Sequence, residues 1–254
     1  MNAYGTQGSA SPLQITEILR RSEQGVTRPF LCRCEDDRLY YVKGSGAGPR
    51  SLLCEWLAGQ LARAFDLPLP EFAIVQASQD LIDLLPEGSD LGTGPAFASL
   101  QVPDPQWLSR AHVTHVPMRL QQDVLVFDWW VRNLDRTLTE LGGNPNLLWK
   151  TSDRRLVVID HNAAFDREFD AAQFTQTHVF AKRIPDIFQD LVECSEYSRR
   201  LRTALAVWPV ACQNVPDEWW FMDEERTIPT DFDPDAVLAL LNCCTNEEFW
   251  RLPP

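Results

Sequence analysis

The first 100 residues carry short apolar runs separated by polar, turn-forming residues, a pattern typical of β-strands. Two of these runs flank the acidic turn at residues 35–37 and therefore predict a two-stranded ribbon. A further run, Leu13–Arg20, fits either a strand or a single helical turn. The other predicted strands are Phe30–Cys34, Leu39–Lys43, Phe72–Val75 and Phe97–Leu100.

A helix is predicted over Ser51–Phe65, because apolar residues recur there at helical spacing and form one broad stripe. Glu55 lies within this stripe rather than on the polar side. A carboxylate on the inner side of a helix needs a cationic partner, and Lys43, which closes the preceding strand, is the nearest candidate. The alternative, on periodicity alone, is that Glu55 lies at the solvent-exposed rim of the stripe.

The second half of the chain is predicted to be mainly helical. Asp123–Arg132 is an apolar, aromatic run of helix length. Later helices are predicted over Ala171–Arg183, Ile187–Trp208 and Pro234–Asn242, the last capped by Asp233. We therefore expect an α+β fold in which a strand-rich part, residues 12–100, precedes a larger helical part, residues 101–254. Residues 1–11 are polar and small, and we expect them to form a disordered arm.

A β-hairpin is predicted around the polar tetrapeptide Thr151–Arg154, which is flanked by two short apolar runs. A turn centred on Asp153 places Asn146 opposite Asp160 at the open end of the hairpin. An amide oxygen and a carboxylate then lie side by side. The predicted strands are Leu147–Trp149 and Leu156–Ile159, with Leu148 opposite Val158.

Asn146 and Asp160 offer hard oxygen ligands of the kind that Mg²⁺ takes alongside water and phosphate oxygens. Upstream, Asp135 follows the end of the run Asp123–Arg132, where the helix macrodipole opposes an acidic side chain. Asp135 is therefore interpreted as a carboxylate that is held over the open end of the hairpin, where the metal ion is expected to bind. Each of these positions also has a purely structural explanation, as a turn, strand-end or helix-ending residue. The convergence of three oxygen side chains favours a site.

Composition and charge narrow the classes of partner. The chain has 254 residues and a formal net charge of −13, with a pI near 4.7. No basic stripe is present in the sequence to neutralise nucleic-acid phosphates or to bind anionic lipid, so neither nucleic acid nor membrane is expected as a partner. The sequence has no apolar run of membrane length and no signal peptide, and its seven cysteines lack CxxC spacing. We therefore expect a cytoplasmic protein whose thiols stay reduced.

The singled-out side chains together form the set that phosphoryl transfer requires. Lys43 would contact nucleotide phosphates and be held by Glu55. Asn146 and Asp160 would hold a Mg²⁺ ion that bridges the phosphates of ATP, and Asp135 would orient the attacking hydroxyl group and accept its proton. The P-loop motif GxxxxGK[ST] is absent from the sequence, so a P-loop nucleotide-binding fold is not indicated.

Five motifs spread over roughly residues 20–170 support this interpretation. They are Tyr-Val-Lys43-Gly, Gly48-Pro-Arg-x-Leu-x-x-Glu55-Trp, Asn133-x-Asp135-Arg-Thr, Asn144-Pro-Asn146-Leu-Leu-Trp and Ile-Asp160-His. Their combination resembles the HipA-like kinase family, in its shorter branch, and the Asn-x-Asp-Arg element is also similar to that of phosphoinositide kinases. The resemblance implies a two-lobed protein-kinase-like fold with a small strand-rich N-lobe and a larger helical C-lobe. It also implies ATP in the cleft between the lobes and Ser/Thr protein kinase activity.

Two segments depart from the pattern of this family. The loop between Asp135 and Asn146 is longer than usual, so Asn144 competes with Asn146 as the metal ligand; Asn146 is preferred because it directly precedes the strand. Where a glycine-rich phosphate loop is expected, the chain offers a single glycine. The residues whose backbone N–H groups are predicted to cradle phosphates are Gly25, Thr27 and Arg28.

Two other classes of function are compatible with these residues. One is a nucleotide-binding pseudokinase that acts as a regulatory binding module, which suits the sparse phosphate loop. The other is a metal-dependent phosphohydrolase, which would use the three oxygen ligands but would leave Lys43 and Glu55 without a role. The sequence leaves open the phosphorylated substrate, any regulatory partner protein and the oligomeric state.

Overall fold

Five strands in the N-terminal part of the chain form a closed barrel in the computed structural model, which describes residues 12–22, 28–140 and 142–252. Neighbouring strands are antiparallel, except where the first and fourth strands meet in parallel and close the ring. The strands are β1 (Leu13–Arg21), β2 (Phe30–Cys34), β3 (Leu39–Lys43), β4 (Phe72–Gln76) and β5 (Ala96–Leu100), and their order is β1-β2-β3-β5-β4.

Alternating apolar residues fill the inside of this barrel. Phe30 lies opposite Val42 and Cys32 lies opposite Tyr40, and all four side chains are buried. β2 and β3 begin and end at the predicted residues. The run at Leu13–Arg20 is a strand rather than a helical turn. The predicted disordered arm, residues 1–11, lies outside the described residues.

Helices make up most of the regular structure after the barrel, and the mixed content of helices and strands confirms the α+β class. The predicted cap of the last helix is confirmed, since the Asp233 side chain accepts hydrogen bonds from two backbone N–H groups. The helices are α1 (Pro49–Ala64), α2 (Gln79–Asp83), α3 (Gly88–Leu91), α4 (Arg110–Val113), α5 (Met118–Trp130), α6 (Ala171–Thr177), α7 (Ile184–Phe188), α8 (Leu191–Leu205), α9 (Trp208–Gln213) and α10 (Pro234–Asn242). In the described part of the chain, no helix combines the length and apolar composition needed to cross a bilayer.

α1 is the element that links the barrel to the rest of the molecule. It packs against β5 on one side and against α8 and α9 on the other. The helix begins at Pro49, two residues before the predicted start, because the first turn of a helix tolerates a residue without an N–H group. Glu55 is only 2% exposed. It therefore points into the interior, and the alternative of a rim position is wrong.

Two predicted helices are broken into shorter ones. The segment Ala171–Arg183 stops being α-helical before His178, because His178 turns away to reach a buried carboxylate. The segment Ile187–Trp208 divides because the Asp190 side chain accepts hydrogen bonds from the first N–H groups of α8 and so starts a new helix. Tertiary contacts and capping thus override the continuous apolar pattern.

The predicted hairpin forms, but its predicted register is wrong by one residue. Asn146 lies opposite Ile159, whose N–H donates to the Asn146 carbonyl at 3.2 Å, and not opposite Asp160. Leu147, rather than Leu148, pairs with Val158. This register places the fully buried side chains of Leu147 and Val158 on one face, which a one-residue slip would reverse. The sheet consists of β6 (Pro105–Trp107), which was not predicted, β7 (Leu147–Lys150) and β8 (Arg155–Val158).

Candidate active site

An ionic cluster, in which Lys43 and Glu55 are buried and Asp160 is partly exposed, joins β3, α1 and the end of the hairpin. The Nζ atom of Lys43 lies 2.5 Å from Oε1 of Glu55 and 3.0 Å from Oδ1 of Asp160. The other oxygen of Glu55, Oε2, accepts a 2.9 Å hydrogen bond from the backbone N–H of His161. The predicted ion pair between Lys43 and Glu55 is therefore present, and Asp160 joins it.

The charges of this cluster shift each other's pKa. Burial opposes the charged form of Lys43, but attraction to Glu55 and Asp160 outweighs burial and raises the pKa of the lysine. Burial raises the pKa of Glu55 to about 7, although Lys43 opposes that shift. Burial also disfavours ionised Asp160, but Lys43 prevails and lowers its pKa. With two carboxylates around one cation, the cluster attracts a further positive charge once Glu55 is ionised.

Asp135 lies at the other side of the hairpin end. Its Oδ2 atom accepts hydrogen bonds from Nδ2 of Asn146 at 2.8 Å and from Nδ2 of Asn144 at 3.2 Å. Its backbone N–H donates to Oδ1 of Asn133 at 3.2 Å. Burial raises the pKa of Asp135 above its ordinary value, which makes the carboxylate a better proton acceptor. Because Nδ2 of Asn146 is bound to Asp135, the amide oxygen of Asn146 is the atom available to a ligand.

The long loop between Asp135 and Asn146 folds back on itself and brings its two ends together. The N–H of Thr137 donates to the carbonyl of Asn144 at 2.9 Å. Gly143 adopts a φ of 155° with its Cα pressed against Thr137, where an added Cβ would lie 2.5 Å from the Thr137 carbonyl oxygen. The two ends of the loop are therefore held together, and Asp135 stays within hydrogen-bond reach of both asparagines.

Asn146 and Asp160, the predicted metal ligands, share an unusual backbone conformation. Their φ angles are 46° and 59°, in the left-handed region that residues other than glycine rarely adopt. One precedes β7 and the other follows β8, so both stand at the same end of the hairpin. Asn and Asp are the residue types other than glycine that adopt this conformation most readily, so the two positions suit the residues that occupy them.

Under this hairpin end lies a buried network that the sequence analysis missed. Arg136 donates from Nε to Oδ2 of Asp128 at 2.7 Å, and from Nη1 to the carbonyl oxygens of Asn146 at 2.5 Å and Ile159 at 3.1 Å. Oδ2 of Asp128 also lies 3.0 Å from Nε2 of His178. The available signal was a carboxylate, Asp128, with apolar neighbours on both sides in the run that became α5, together with the arginine of the Asn-x-Asp-Arg motif.

A cavity of about 440 Å³ opens beside the ionic cluster. Lys43, Glu55 and Asp160 lie at its wall, and most of the remaining lining is apolar. Its volume is within the range of small-molecule and cofactor sites, which combine apolar walls with a few polar groups. The apolar lining from the barrel and the hairpin includes Phe72, Phe97, Leu100, Val102, Leu148 and Val158.

The predicted phosphate loop is described only in part. Gly25 and Thr27 lie outside the described residues. Arg28 has a φ of 39°, and its Nη1 atom is 3.9 Å from Oε1 of Glu87. Its carbonyl oxygen accepts a 3.1 Å hydrogen bond from Nε of Arg21. That Gly25, Thr27 and Arg28 cradle phosphates stays a prediction.

The donor set at the hairpin end suits one type of metal better than others. In residues 12–22, 28–140 and 142–252, no three His, Cys, Asp or Glu side chains cluster as a metal site. Asn146 and Asp160 offer one amide oxygen and one carboxylate. Mg²⁺ is commonly held by one or two carboxylates together with substrate phosphates and water, rather than by an all-protein cage. These residues therefore fit Mg²⁺ that binds together with a nucleotide.

Comparisons with known proteins identify a family and a similar fold. A sequence profile described as HipA-like kinase matches residues 15–253, nearly the whole chain. The fold is similar to that in the crystal structure of a Helicobacter pylori proinflammatory kinase, CtkA, with a TM-score of 0.50. The two proteins are 12% identical in sequence, and the match covers 94% of this chain and 96% of that chain, so the likeness concerns the fold. No curated protein sequence matches the chain significantly.

Proposed function

Because the chain belongs to the HipA-like kinase family, we propose that it transfers the γ-phosphoryl group of ATP, bound with Mg²⁺, to a protein Ser or Thr hydroxyl group, its own included. The observation that carries this proposal is the cluster of Lys43, Glu55 and Asp160 at the wall of a cavity of nucleotide size. The kinase-like fold and the family membership give the reaction class. The nucleotide, the metal and the acceptor are the proposed part.

In this proposal the ammonium group of Lys43 binds the phosphate oxygens of ATP, and Glu55 holds it in place. The 2.5 Å contact between them supports this role, because a buried lysine without a partner would lose its charge. The adenine base occupies the apolar part of the 440 Å³ cavity. Gly25, Thr27 and Arg28 complete the phosphate site with their backbone N–H groups.

Asn146 and Asp160 would hold Mg²⁺ through the amide oxygen of Asn146 and the carboxylate of Asp160. A divalent ion held there would supply positive charge to offset the negative charge of the phosphates. Asp135 orients the acceptor hydroxyl group and takes its proton while the hydroxyl oxygen attacks the γ-phosphorus and ADP leaves. The raised pKa of Asp135 supports its assignment as the base.

We also propose that residues 12–100 form the N-lobe and residues 101–254 the C-lobe of a two-lobed kinase. The barrel strands and α1 supply Lys43 and Glu55, and the hairpin supplies Asp160. The lining of the cavity by both parts supports a nucleotide cleft between them.

The test is transfer of label from [γ-³²P]ATP to the protein itself and to proteins of a cell lysate, with and without Mg²⁺. We expect Mg²⁺-dependent labelling of Ser or Thr in the wild type and its loss in Asp135→Ala. Asp153→Ala, in the exposed hairpin turn, is the matched control and should label like the wild type.

Each alternative gives a different result. Tight binding of Mg-ATP without labelling of any protein would contradict the kinase proposal and favour the regulatory pseudokinase. Phosphate release from a small phosphoester such as p-nitrophenyl phosphate, without ATP, would favour the phosphohydrolase.

A further inference from the structure

One guanidinium group connects the two predicted metal ligands. Nη1 of Arg136 donates both to the carbonyl of Asn146 and to the carbonyl of Ile159, the residue before Asp160. Both acceptors belong to the ends of the hairpin, where Asn146 and Asp160 adopt left-handed backbone conformations. Arg136 therefore binds the peptide groups on which the orientation of both ligand side chains depends.

Arg136 is itself fixed by a buried carboxylate. Asp128 accepts a 2.7 Å hydrogen bond from Nε of Arg136, and both side chains are fully buried. Oδ1 of Asp128 also accepts a hydrogen bond from Nδ2 of Asn133 at 3.2 Å, and Oδ1 of Asn133 accepts the backbone N–H of Asp135. The Asp128 carboxylate thus holds Asn133, which binds the backbone of Asp135. It also holds Arg136, which binds both ends of the hairpin.

His178 completes the network with a defined tautomer. Its Nδ1 accepts a 3.1 Å hydrogen bond from the backbone N–H of Phe180. Because Nδ1 is the acceptor, Nε2 bears the proton and donates to Oδ2 of Asp128 at 3.0 Å. The orientation of the Asp128 carboxylate is therefore fixed by His178, which follows α6, as well as by Arg136, which follows α5.

A buried ion pair is an expensive way to stabilise a core, because well-packed apolar side chains often serve as well or better. Arg136 adds a further cost, since its buried Nη2 atom finds no hydrogen-bond partner among the residues that the structure describes. What an apolar residue could not provide is a rigid fork of donors that reaches a carboxylate and two carbonyl groups at once. The geometry of the network is thus better explained by positioning than by stability.

We infer that Arg136, with Asp128 and His178 behind it, is a positioning residue that sets the spacing of Asn146 and Asp160 for a divalent cation. This inference rests on the proposed function, since it concerns the same cation. It adds residues that touch neither the nucleotide nor the ion. Partners of metal ligands in such positions typically change metal affinity about 10- to 100-fold when they are replaced.

The test compares the affinity for a non-hydrolysable ATP analogue in EDTA with that in saturating Mg²⁺, by isothermal titration calorimetry. Arg136→Lys keeps the positive charge but cannot reach all three acceptors. We expect it to reduce the Mg²⁺-dependent gain in affinity by about tenfold or more. The affinity in EDTA should stay near that of the wild type, because Lys43 and Glu55 are untouched. A merely structural role would lower both affinities together.

Arg200→Lys is the matched control, because Arg200 also pairs with a carboxylate, Asp123, at 2.5 Å, and its guanidinium group stacks on Phe65 and Tyr197 rather than reaching the hairpin carbonyls. It should leave the Mg²⁺-dependent gain unchanged. If Arg136→Lys does not fold, as judged by near-ultraviolet circular dichroism, Asp128→Asn is measured in the same way.

A folded variant with an unchanged Mg²⁺-dependent gain overturns the inference, and loss of folding in both variants assigns the network to stability and also overturns it. A wild type that binds the analogue without any response to Mg²⁺ would instead remove the proposed function, and this inference with it.

Discussion

Replacing Glu55 by glutamine is the most direct perturbation of the ionic cluster. In the wild type each carboxylate oxygen of Glu55 accepts one hydrogen bond, Oε1 from Nζ of Lys43 and Oε2 from the N–H of His161. Glutamine has nearly the same shape but replaces one of these acceptors with an NH₂ donor. One of the two donors must therefore lose its partner, and Asp160 is then the one carboxylate beside Lys43 in the described part of the chain.

The size of the effect follows from these contacts. Removing one partner from a fully buried ion pair usually costs about 3–5 kcal/mol. Here Asp160 remains 3.0 Å from the lysine, so the loss is closer to that of one buried hydrogen bond to a charged group, about 2 kcal/mol of unfolding free energy. We also expect the affinity for Mg-ATP to fall about tenfold, or about 1.4 kcal/mol, since Lys43 is then drawn to Asp160, the proposed metal ligand.

Unfolding in urea measures the first quantity, and titration with a non-hydrolysable ATP analogue in Mg²⁺ measures the second. Glu17→Gln is the control, because Glu17 forms a 3.1 Å ion pair with Arg33 in which both side chains are exposed. Exposed pairs contribute about 0–1 kcal/mol, so both quantities should change little. If Glu55→Gln also leaves the affinity for Mg-ATP unchanged, Glu55 does not hold Lys43 for phosphate binding and the assignment of the cluster is wrong.

Three further predictions concern the base, the buried carboxylate and the cavity. Asp135→Asn should slow phosphoryl transfer by about 10²- to 10⁴-fold, as expected for loss of a general base, and should leave Mg-ATP affinity unchanged; an equal fall in affinity would contradict the assignment. Burial disfavours ionised Asp128, but Arg136 outweighs it and lowers the pKa of Asp128. Its stabilising contribution is therefore complete above the unfolded pKa, about 4, and is lost as the pH falls through the folded pKa. Urea unfolding of wild type and Asp128→Asn should accordingly give a constant difference above pH 5 that shrinks toward pH 3, and a difference independent of pH would refute this reasoning. Leu148 lines the cavity and is only partly buried, so Leu148→Trp should fill the cavity and lower the affinity for the ATP analogue at least about tenfold while the thermal unfolding midpoint changes little; undiminished affinity would place the nucleotide elsewhere.

Local patterns predicted the part of the site whose residues are close in sequence. The strand that ends at Lys43 and the helix that carries Glu55 are both clear from periodicity, and a carboxylate among apolar positions needs a cation. The pairing of Lys43 with Glu55 followed from these two facts alone. Their roles toward a nucleotide stay predictions.

The hairpin register was not predictable from the turn. A polar tetrapeptide accommodates a turn centred on a residue or between two residues, and the two choices differ by one position in pairing. The structure has the second choice because it buries Leu147 with Val158. The strand β6 also gave no signal, since its three residues are exposed.

The network under the hairpin depended on contacts that no local pattern contains. Arg136 meets Asp128 through the end of α5, and His178 reaches it from a distant segment. A buried arginine has no periodic signature, and its acceptors include backbone carbonyl groups that every residue possesses. Only the folded chain identifies which carbonyls these are.

The contact between Lys43 and Asp160 also affects the order in which the ionic cluster forms while the chain is being synthesised. Lys43 and Glu55 leave the ribosome with the barrel strands and can pair early, because they are near neighbours along the chain. Asp160 is synthesised much later, so this contact is among the slow, long-range ones. A nascent chain that has not yet reached β8 therefore lacks both a complete pocket wall and the second carboxylate. At the proposed nucleotide site, capture of ATP would then report that synthesis has passed the hairpin.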